Sequence, residues 1–397
     1  MNQFRWLTAG ESHGRGLLAI VDGLPAGIPI TEDAIANDLR RRQGGYGRGK
    51  RQQIETDRAT LISGVRHGLS IGSPIGLQLI NRDHQNAGWE TRMSPEVVDE
   101  DIEPVITLRP GHADLSGTQK YGFDDVRPIL ERSSARETAA RVAAGALARA
   151  FLNEIGISLI SQTIEIGGVR VPPEGRGLTD IAAIENSPVR VSDKDAEQAM
   201  IARIDGAKTD NDTLGGVFEV VAKGIPFGLG SHVQWDRKLD GRIAQAFMSI
   251  NAVKAVEIGD GIANASRPGS EAQDIILPWN TEDMHPWERE TNKAGGLEAG
   301  MSNGQDIIVR GFIKPISTVP RRMPSVDLQH GDQATSFYER SDVAVVPAAG
   351  VIGEAMLAMV LADAALEKFG GDHITEVVSN FESFNSTVGP RFGAEND

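Results

Sequence analysis

The feature that most constrains the fold of this chain is a long apolar run near its carboxyl end. Residues 349–369 are almost all Ala, Gly, Val, Ile, Leu and Met, with Pro347 shortly before them and a Gly-Gly pair directly after. This pattern predicts one long helix that is entered near the proline and closed by the glycines. Glu354 and Asp363 interrupt the most apolar part, so we expect a soluble protein rather than a membrane span.

Residues 134–154 give the clearest helix signal. Ser134 and Glu137 have the spacing of a capping box, an alanine-rich run follows, and Gly156 ends it. Thr31 begins another amphipathic helix, with acidic residues in its first turn and three arginines at its end. Further elements are predicted as a helix at residues 192–207 and as strands at residues 4–8, 17–21 and 159–166.

Three segments have the same pattern, in which a glycine turn is followed by a strand of alternating polar and apolar residues. They are residues 72–79, 215–221 and 304–310. With the helices they indicate an α+β fold, and their likeness indicates two pseudo-symmetric halves. The sequence has no linker or low-complexity tract, so we expect a single domain over residues 1–397. It also lacks a βαβαβ run with a GxGxxG fingerprint, which disfavours a Rossmann fold.

The charge pattern argues against general binding of nucleic acid or anionic membranes. The formal net charge is −15, yet residues 40–51 read RRRQGGYGRGKR and form a local basic island. Such an island in an acidic protein favours a small, highly anionic ligand. Two alternatives stay open, a solvated surface loop and an Arg/Gly loop that binds RNA, although one tyrosine offers little stacking surface to RNA. The chain has no cysteine and begins without an apolar segment, which suits a cytoplasmic protein.

The sequence GESHG at residues 10–14 matches the G-x-S-x-G turn that presents the nucleophile of serine hydrolases. That turn requires a helix after it, whereas residues 15–21 predict a strand. A hydrolase built on Ser12 is therefore the weaker alternative. His13, flanked by glycine turns, is suited to presenting an imidazole to a ligand, and the structural alternative is a histidine that only makes a hydrogen bond in the turn.

A second candidate is RPGHAD at residues 109–114. The Pro-Gly pair predicts a turn that projects His112 from a loop beside the cation of Arg109. A histidine among arginines is a poor metal ligand but a reasonable proton donor to a phosphate leaving group. With eight histidines and no HxxxH or HExxH spacing, we do not expect a catalytic metal.

The sequence ERSSARE at residues 131–137 places two arginines at a predicted helix start. Cations there oppose the helix dipole unless an anion lies between them. A plain helix cap would explain Ser134 and Glu137, but it would not explain Arg132 and Arg136.

Later in the chain, KPIST at residues 314–318 and RSD at residues 340–342 combine cations with hydroxyl groups. These groups suit the recognition of phosphate and carboxylate. Asp342 and Arg340 are explained equally well as a local ion pair.

Together these stretches resemble the chorismate synthase family along nearly the whole chain. GESHG is similar to the first signature of that family, ERSSARET with the following Ala-Gly to the second, and RSDV through GEAM at residues 340–356 to the third. The resemblance implies a lyase of the shikimate pathway to aromatic amino acids. Its reaction is a trans-1,4-elimination of phosphate from 5-enolpyruvylshikimate 3-phosphate that yields chorismate. Reduced FMN is implied as the cofactor, with NADPH as the reductant if the protein reduces its own flavin.

The same resemblance implies an architecture and an assembly. The fold would be a β-α-β sandwich with a helical layer between antiparallel sheets. The protein would be a cytoplasmic homotetramer that acts on a small molecule and binds neither nucleic acid nor membrane.

The resemblance also implies residue roles. His112 would protonate the departing phosphate, His13 would protonate or stabilise the reduced flavin, and Asp342 would assist proton removal. The substrate would be held by Arg48, Arg109, Arg136 and Arg340. Contacts to FMN would come from Arg132, Ser133, Ser134, Asn251, Ala252, Ala299, Lys314, Pro315, Ile316, Ser317, Thr318 and Arg340, and contacts to NADPH from Arg42 and Arg48.

Two features depart from the family pattern. Ala299 stands where glycine is expected, and its side chain would affect how closely the backbone can approach the flavin. Residues 86–89, with the sequence NAGW, form a small insertion in a loop expected on the substrate side.

Overall fold

The computed structural model describes residues 4–49, 55–86, 88–173, 178, 180–278, 287–339 and 341–390. The strands are β1 (Arg5–Ala9), β2 (Gly16–Asp22), β3 (Ala59–Leu61), β4 (Val65–Arg66), β5 (Leu69–Ser70), β6 (Ile75–Ile80), β7 (Ser158–Ile166), β8 (Val169–Arg170), β9 (Gly216–Lys223), β10 (Phe227–Gly230), β11 (Val253–Ile258), β12 (Leu297–Glu298), β13 (Met301–Asn303), β14 (Ile307–Ile313), β15 (Pro324–Val326) and β16 (Gln333–Thr335). The α-helices are α1 (Glu32–Gln43), α2 (Trp89–Arg92), α3 (Asp114–Tyr121), α4 (Arg127–Arg132), α5 (Thr138–Glu154), α6 (Ile181–Asn186), α7 (Lys194–Thr209), α8 (Leu239–Met248), α9 (Gly261–Asn264), α10 (Gly269–Ala272), α11 (Val346–Phe369) and α12 (Ile374–Asn385). Short 3-10 turns span Arg82–Gln85, Ala135–Glu137 and Trp235–Arg237.

Two antiparallel sheets form the outer layers. One has four strands in the order β1-β2-β6-β3, and the other has five in the order β11-β14-β9-β7-β8. In β2 the inward side chains of Leu17, Ala19 and Val21 are buried while Leu18 and Ile20 are exposed, as the two-residue period of a strand requires. Smaller sheets are β10-β13-β12, β4-β5 and β15-β16.

Helices fill the space between these sheets. Helices α1 and α5 pack on the four-stranded sheet, α8 and α11 pack on the five-stranded sheet, and α5 packs along α11. The two long helices come so close that a Cβ atom on Gly145 would lie 2.4 Å from the Cβ atom of Ala355. The predicted α+β class and the helical layer between antiparallel sheets are confirmed, whereas the two pseudo-symmetric halves stay a prediction.

The predicted elements occur with shifted ends. Helix α11 begins at Val346, three residues before the predicted start. The predicted capping box at residues 134–137 is wrong, because Ser134 caps only a 3-10 turn and α5 begins at Thr138. The Glu137 carboxylate binds Thr8 and Arg141 instead of the helix start. These tertiary contacts outweigh the local capping signal.

The two acidic residues Glu354 and Asp363 lie within one continuous apolar helix, α11. By length and composition it is the one helix among the described residues that could cross a membrane, and 94% of its most apolar stretch is buried inside the protein. Glu354 is paired with arginines, and Asp363 accepts a hydrogen bond of 2.9 Å from the Phe4 backbone N–H. The burial of α11 between the sheets accounts for its apolar character.

Glu354 is the most deeply buried charge in this layer, with no exposed surface. Its carboxylate accepts hydrogen bonds from Arg41 of α1 at 2.8 Å, Arg149 of α5 at 2.5 Å and the Ser161 hydroxyl of β7 at 2.6 Å. Burial would raise the pKa of Glu354, but the charges of Arg149 and Arg41 outweigh it and lower that pKa to about 2. The network ties α1, α5 and β7 to the central helix.

We predict that Glu354→Gln lowers the free energy of unfolding by about 3–5 kcal/mol at neutral pH, because buried arginines lose their counter-charge. The folded-state pKa is depressed, so the stabilisation by Glu354 is complete above its ordinary pKa of 4.5 and is lost as the pH falls toward about 2. Urea unfolding at several pH values should therefore show the difference from wild type shrinking below pH 4.5.

Glu367→Gln is the matched control on the same helix. The Glu367 side chain is 44% exposed and forms ion pairs with Arg237 and Arg242. Its replacement should cost at most about 1 kcal/mol. An equal cost for the two variants would contradict the network as described.

Candidate functional site

The main cavity lies where the amino-terminal ends of α5 and α11 meet. It has a volume of about 740 Å³, which is within the range of small-molecule sites. Thr138, at the start of α5, and Val345 and Ala348, at the start of α11, line it together. Both helix dipoles therefore direct their positive ends to the cavity, which favours an anionic ligand.

Three arginines line this cavity with incomplete hydrogen bonding. Arg42 Nη1, Arg48 Nε and Arg136 Nη2 are buried without a hydrogen-bond partner among the described residues. The remaining nitrogens are held firmly, since Arg42 Nε donates to the Thr138 hydroxyl at 2.9 Å and Arg136 Nη1 donates to Asp57 at 2.6 Å. The guanidinium groups are therefore fixed in place, and each keeps one N–H group that can donate a hydrogen bond to a ligand.

Burial dominates the electrostatics of Arg42. Burial, together with the neighbouring cations Arg136 and Arg48, lowers the pKa of Arg42 to about 9. Asp57 opposes this shift only partly, with its Oδ2 atom 3.6 Å from Arg42 Nη1. An anion in the cavity would relieve the repulsion.

A carboxylate orients His112 at the cavity wall. His112 Nδ1 lies 2.6 Å from Asp114 Oδ1, and Arg109 donates to the same carboxylate through Nε and Nη2 at 2.8 Å each. Burial would raise the pKa of Asp114, but the hydrogen bonds from Arg109 and His112 outweigh it and hold that pKa below its ordinary value. An ionised Asp114 can only accept, so Nδ1 of His112 carries a proton and Nε2 is left for a ligand.

His13 is held in a similar way by Glu131. The Nδ1 atom of His13 lies 2.9 Å from Glu131 Oε1, and its backbone N–H donates to Glu131 Oε2 at 2.7 Å. Burial would raise the pKa of Glu131, but its interactions with His13 and then Arg127 lower it below the ordinary value. Asp83 Oδ2 lies 3.7 Å from the other ring nitrogen of His13.

Asp342 connects the basic island to the start of α11. Its Oδ1 atom accepts a hydrogen bond of 2.5 Å from the Gly49 backbone N–H, and its Oδ2 atom lies 3.4 Å from Arg48 Nη1. The loop that carries Arg48 is further held by hydrogen bonds from Val343 N–H to the Gly47 carbonyl and from Tyr46 N–H to the Pro188 carbonyl. Asp342 therefore fixes Arg48 at the cavity.

Comparison with known proteins identifies the family. The sequence profile described as chorismate synthase matches residues 4–366. The chain is 52% identical over 396 residues to the chorismate synthase of Mycolicibacterium smegmatis and 50% identical over 399 residues to that of Leifsonia xyli, with 98% of both chains covered in each case. The chain belongs to the chorismate synthase family. A solved structure described as chorismate synthase, 43% identical, superposes with a TM-score of 0.77 over 96% of this chain and 97% of that one.

Most of the residues that the resemblance to chorismate synthases singled out lie around the one main cavity. Besides the arginines and histidines already described, its wall contains Arg109, Ser133, Ser134, Asn251, Ala252, Lys314, Ile316, Ser317, Thr318 and Asp342. These come from five separate stretches of sequence that the fold brings together. Their roles stay predictions.

Three other predicted residues are placed differently, and a fourth is not described by the structure. Arg132 lies in an adjoining cavity of about 370 Å³ that shares Ser133 and Asn251 with the main one, and its guanidinium donates to the Thr8 and Gly10 carbonyls. Pro315 and Ala299 do not line the main cavity, and Ala299 is exposed in the β12–β13 hairpin. Arg340 lies outside the described residues.

The backbone at Ala299 explains why glycine is expected there in chorismate synthases. Its φ angle is +52°, in the left-handed region that costs a residue with a side chain about 1–2 kcal/mol. Ala299 therefore keeps the glycine-like conformation at an energetic cost.

The competing interpretations of two motifs can now be decided. Strand β2 follows the GESHG turn, so the helix that a serine-hydrolase nucleophile elbow needs is not there. In the basic island, Arg41 turns inward to Glu354, and Arg42 and Arg48 line the cavity. This arrangement favours a small anion over RNA. Lys50 and Arg51 lie outside the described residues.

The carboxylates that organise the site were missed in the sequence. Asp114 stands two residues from His112 in the motif RPGHAD, and this spacing offered a local signal. Glu131 stands inside ERSSARE, but only the fold brings it to His13. Asp57 and Asp83 offered no local signal, because only the fold brings them to Arg136 and His13. Trp89 of the predicted insertion lines the cavity as well.

We predict that inorganic phosphate raises the melting temperature and that Arg48→Met weakens this effect. Phosphate at about 100 times its dissociation constant would stabilise the folded protein by about 2.7 kcal/mol. Thermal unfolding across a phosphate titration measures this. Arg58→Met is the control, because the Arg58 side chain is 61% exposed and pairs only with the exposed Asp33 among the described residues. Equal phosphate responses of the two variants would exclude the cluster as the anion site.

Proposed function

We propose that this protein converts 5-enolpyruvylshikimate 3-phosphate into chorismate by 1,4-elimination of phosphate, with reduced FMN bound in the same cavity. The observation that carries the proposal is a set of buried guanidinium nitrogens on Arg42, Arg48 and Arg136, beside two histidines, that lack a hydrogen-bond partner among the described residues. A substrate with one phosphate and two carboxylates offers the acceptors that these donors lack.

The residues present fit a flavin. The cavity of about 740 Å³ is large enough for a bulky ligand, and Asn251 Oδ1 is a buried acceptor without a hydrogen-bond partner among the described residues. Ser133, Ser134, Asn251, Ala252 and residues 314–318 would hold FMN, with Arg132 reaching it from the adjoining cavity. When bound, reduced FMN lends electron density transiently to the C–O bond that breaks.

His112 would supply the proton for the departing phosphate. Asp114 stabilises the protonated imidazole through Nδ1, so the proton available for transfer is the one on Nε2. Arg48 and Arg136 would neutralise the phosphate as it leaves. Arg109 is committed to Asp114 and Thr318, so it would act on the substrate chiefly by holding His112 in place.

His13 and Asp342 would handle protons elsewhere in the cavity. His13, fixed by Glu131, would hold a proton near the reduced flavin. Asp342 would assist proton removal at the N5 atom of the flavin. Because Asp342 also pairs with Arg48, binding of the substrate phosphate to Arg48 would loosen that pair.

The remaining expectations extend this proposal. NADPH would contact Arg42 and Arg48, which also face the substrate, so the two ligands would compete. We propose a cytoplasmic homotetramer, supported by the exposed apolar side chains of Leu7, Leu18, Ile20 and Ile80 on the outer sheet. A single catalytic domain is supported by a continuous hydrophobic core that runs from Phe4 to Val377.

The deciding experiment is an anaerobic assay for chorismate with the phosphorylated enolpyruvyl substrate. Chorismate should form with reduced FMN and should not form when the flavin is omitted. Absence of chorismate under both conditions would refute the proposal.

We predict that the free protein binds FMN weakly and that the substrate tightens this binding about 5–150-fold, since two ligands in one cavity couple reciprocally. Titration of oxidised FMN, followed by its fluorescence, with and without substrate measures the coupling. Identical affinities would argue against a shared cavity.

We predict that His112→Ala lowers turnover about 10²–10⁴-fold while substrate affinity falls much less. The arginines still bind the anion, but the proton donor is missing. Turnover, the substrate dissociation constant and the melting temperature should be measured together. His330→Ala is the control, because the His330 side chain is 70% exposed. Near-normal turnover of His112→Ala would exclude the acid role.

A further inference from the structure

The ring of Trp89 lies flat against the ring of His13. The two ring centroids are 3.9 Å apart and the planes differ by 11°. Both residues are buried, with 7% of Trp89 and 6% of His13 exposed. Trp89 begins α2 and belongs to the NAGW segment, the insertion predicted from the sequence.

Hydrogen bonds alone do not fix the plane of the His13 ring. Glu131 holds one edge through Nδ1, and Asp83 lies 3.7 Å from the opposite nitrogen. The terminal torsion of a histidine is broad, so a ring held at its edge still rocks about that edge. A flat aromatic surface against its face removes this freedom.

Trp89 is itself held by two arginines, one of which also pairs with the carboxylate that binds His13. The guanidinium carbons of Arg127 and Arg92 lie 5.1 Å and 5.4 Å from the indole centroid, within the range of cation–π contacts. Arg127 also pairs with Glu131, the residue that binds His13. Trp89, His13, Glu131 and Arg127 thus form a closed cluster in which each member touches two others.

We propose that Trp89 is a positioning residue that sets the plane of the His13 imidazole at the cavity. The expected effect of Trp89 on catalysis rests on the proposed function. The stacking of Trp89 on His13 does not depend on that function. Trp89 therefore supplies one wall of the His13 site. Loss of the aromatic face leaves the imidazole tied to Glu131 but free to tilt.

The first test needs no activity. The ring current of a stacked indole shifts the Hε1 proton of His13 upfield, and the signal is assigned by its loss in His13→Gln. Wild type should show the upfield signal, Trp89→Phe an intermediate position, and Trp89→Leu a position typical of an unstacked histidine. Trp235→Leu, at a residue that is 79% exposed, should leave the signal unchanged. An unchanged signal in Trp89→Phe and Trp89→Leu would overturn the proposal.

The second test separates positioning from general stability. Trp89→Leu should lower kcat up to about 100-fold with KM nearly unchanged, because misplacement of a reacting group acts on turnover. Trp89→Phe should restore most of kcat. Two results would overturn the positioning role. One is a decrease in the kcat of Trp89→Leu that matches the decrease in its fraction of folded protein, and the other is a kcat of Trp89→Phe as low as that of Trp89→Leu. If wild type forms no chorismate, the proposed function fails, while the His13 signal still decides whether Trp89 sets the ring plane.

Discussion

The close contact between α5 and α11 is the constraint on which the rest of the structure depends. Gly145 leaves no side chain between the two helices, so they lie side by side as one layer between the sheets. Their amino-terminal ends therefore meet, and the segments that precede them, residues 131–137 and 341–345, face each other across the cavity. The site is a direct result of how closely these two helices pack.

Local patterns were sufficient to predict the longest helices, several of the strands and the motifs that reach the cavity, whereas α8 and β11 were not predicted. Pro347 and the glycines after residue 369 bracket α11, and the turns around His13 and His112 are encoded within a few residues. Contacts between distant parts of the chain were not predictable in this way. The Glu137 side chain binds Thr8 and Arg141 instead of capping a helix. Asp57 and Arg136 are distant in sequence, and their contact depends on the folded structure.

An acidic chain builds a positively charged cavity by distributing its carboxylates unevenly. Asp57, Asp114 and Asp342 each hold an arginine in place with direct contacts. They fix the geometry of the cations and still leave donors on Arg42, Arg48 and Arg136 without a hydrogen bond among the described residues. The result is a cluster that is rigid before a ligand arrives, which reduces the entropy lost on binding.

The burial of Glu354 has a consequence for how the chain assembles. Its arginine partners are contributed by α1, by α5 and by the turn at Arg190, which are far apart in sequence. A carboxylate enclosed before these partners arrive would be an uncompensated charge in an apolar layer. We therefore expect these elements to dock onto α11 cooperatively, because the detachment of any one of them would leave the same buried charge without part of its compensation.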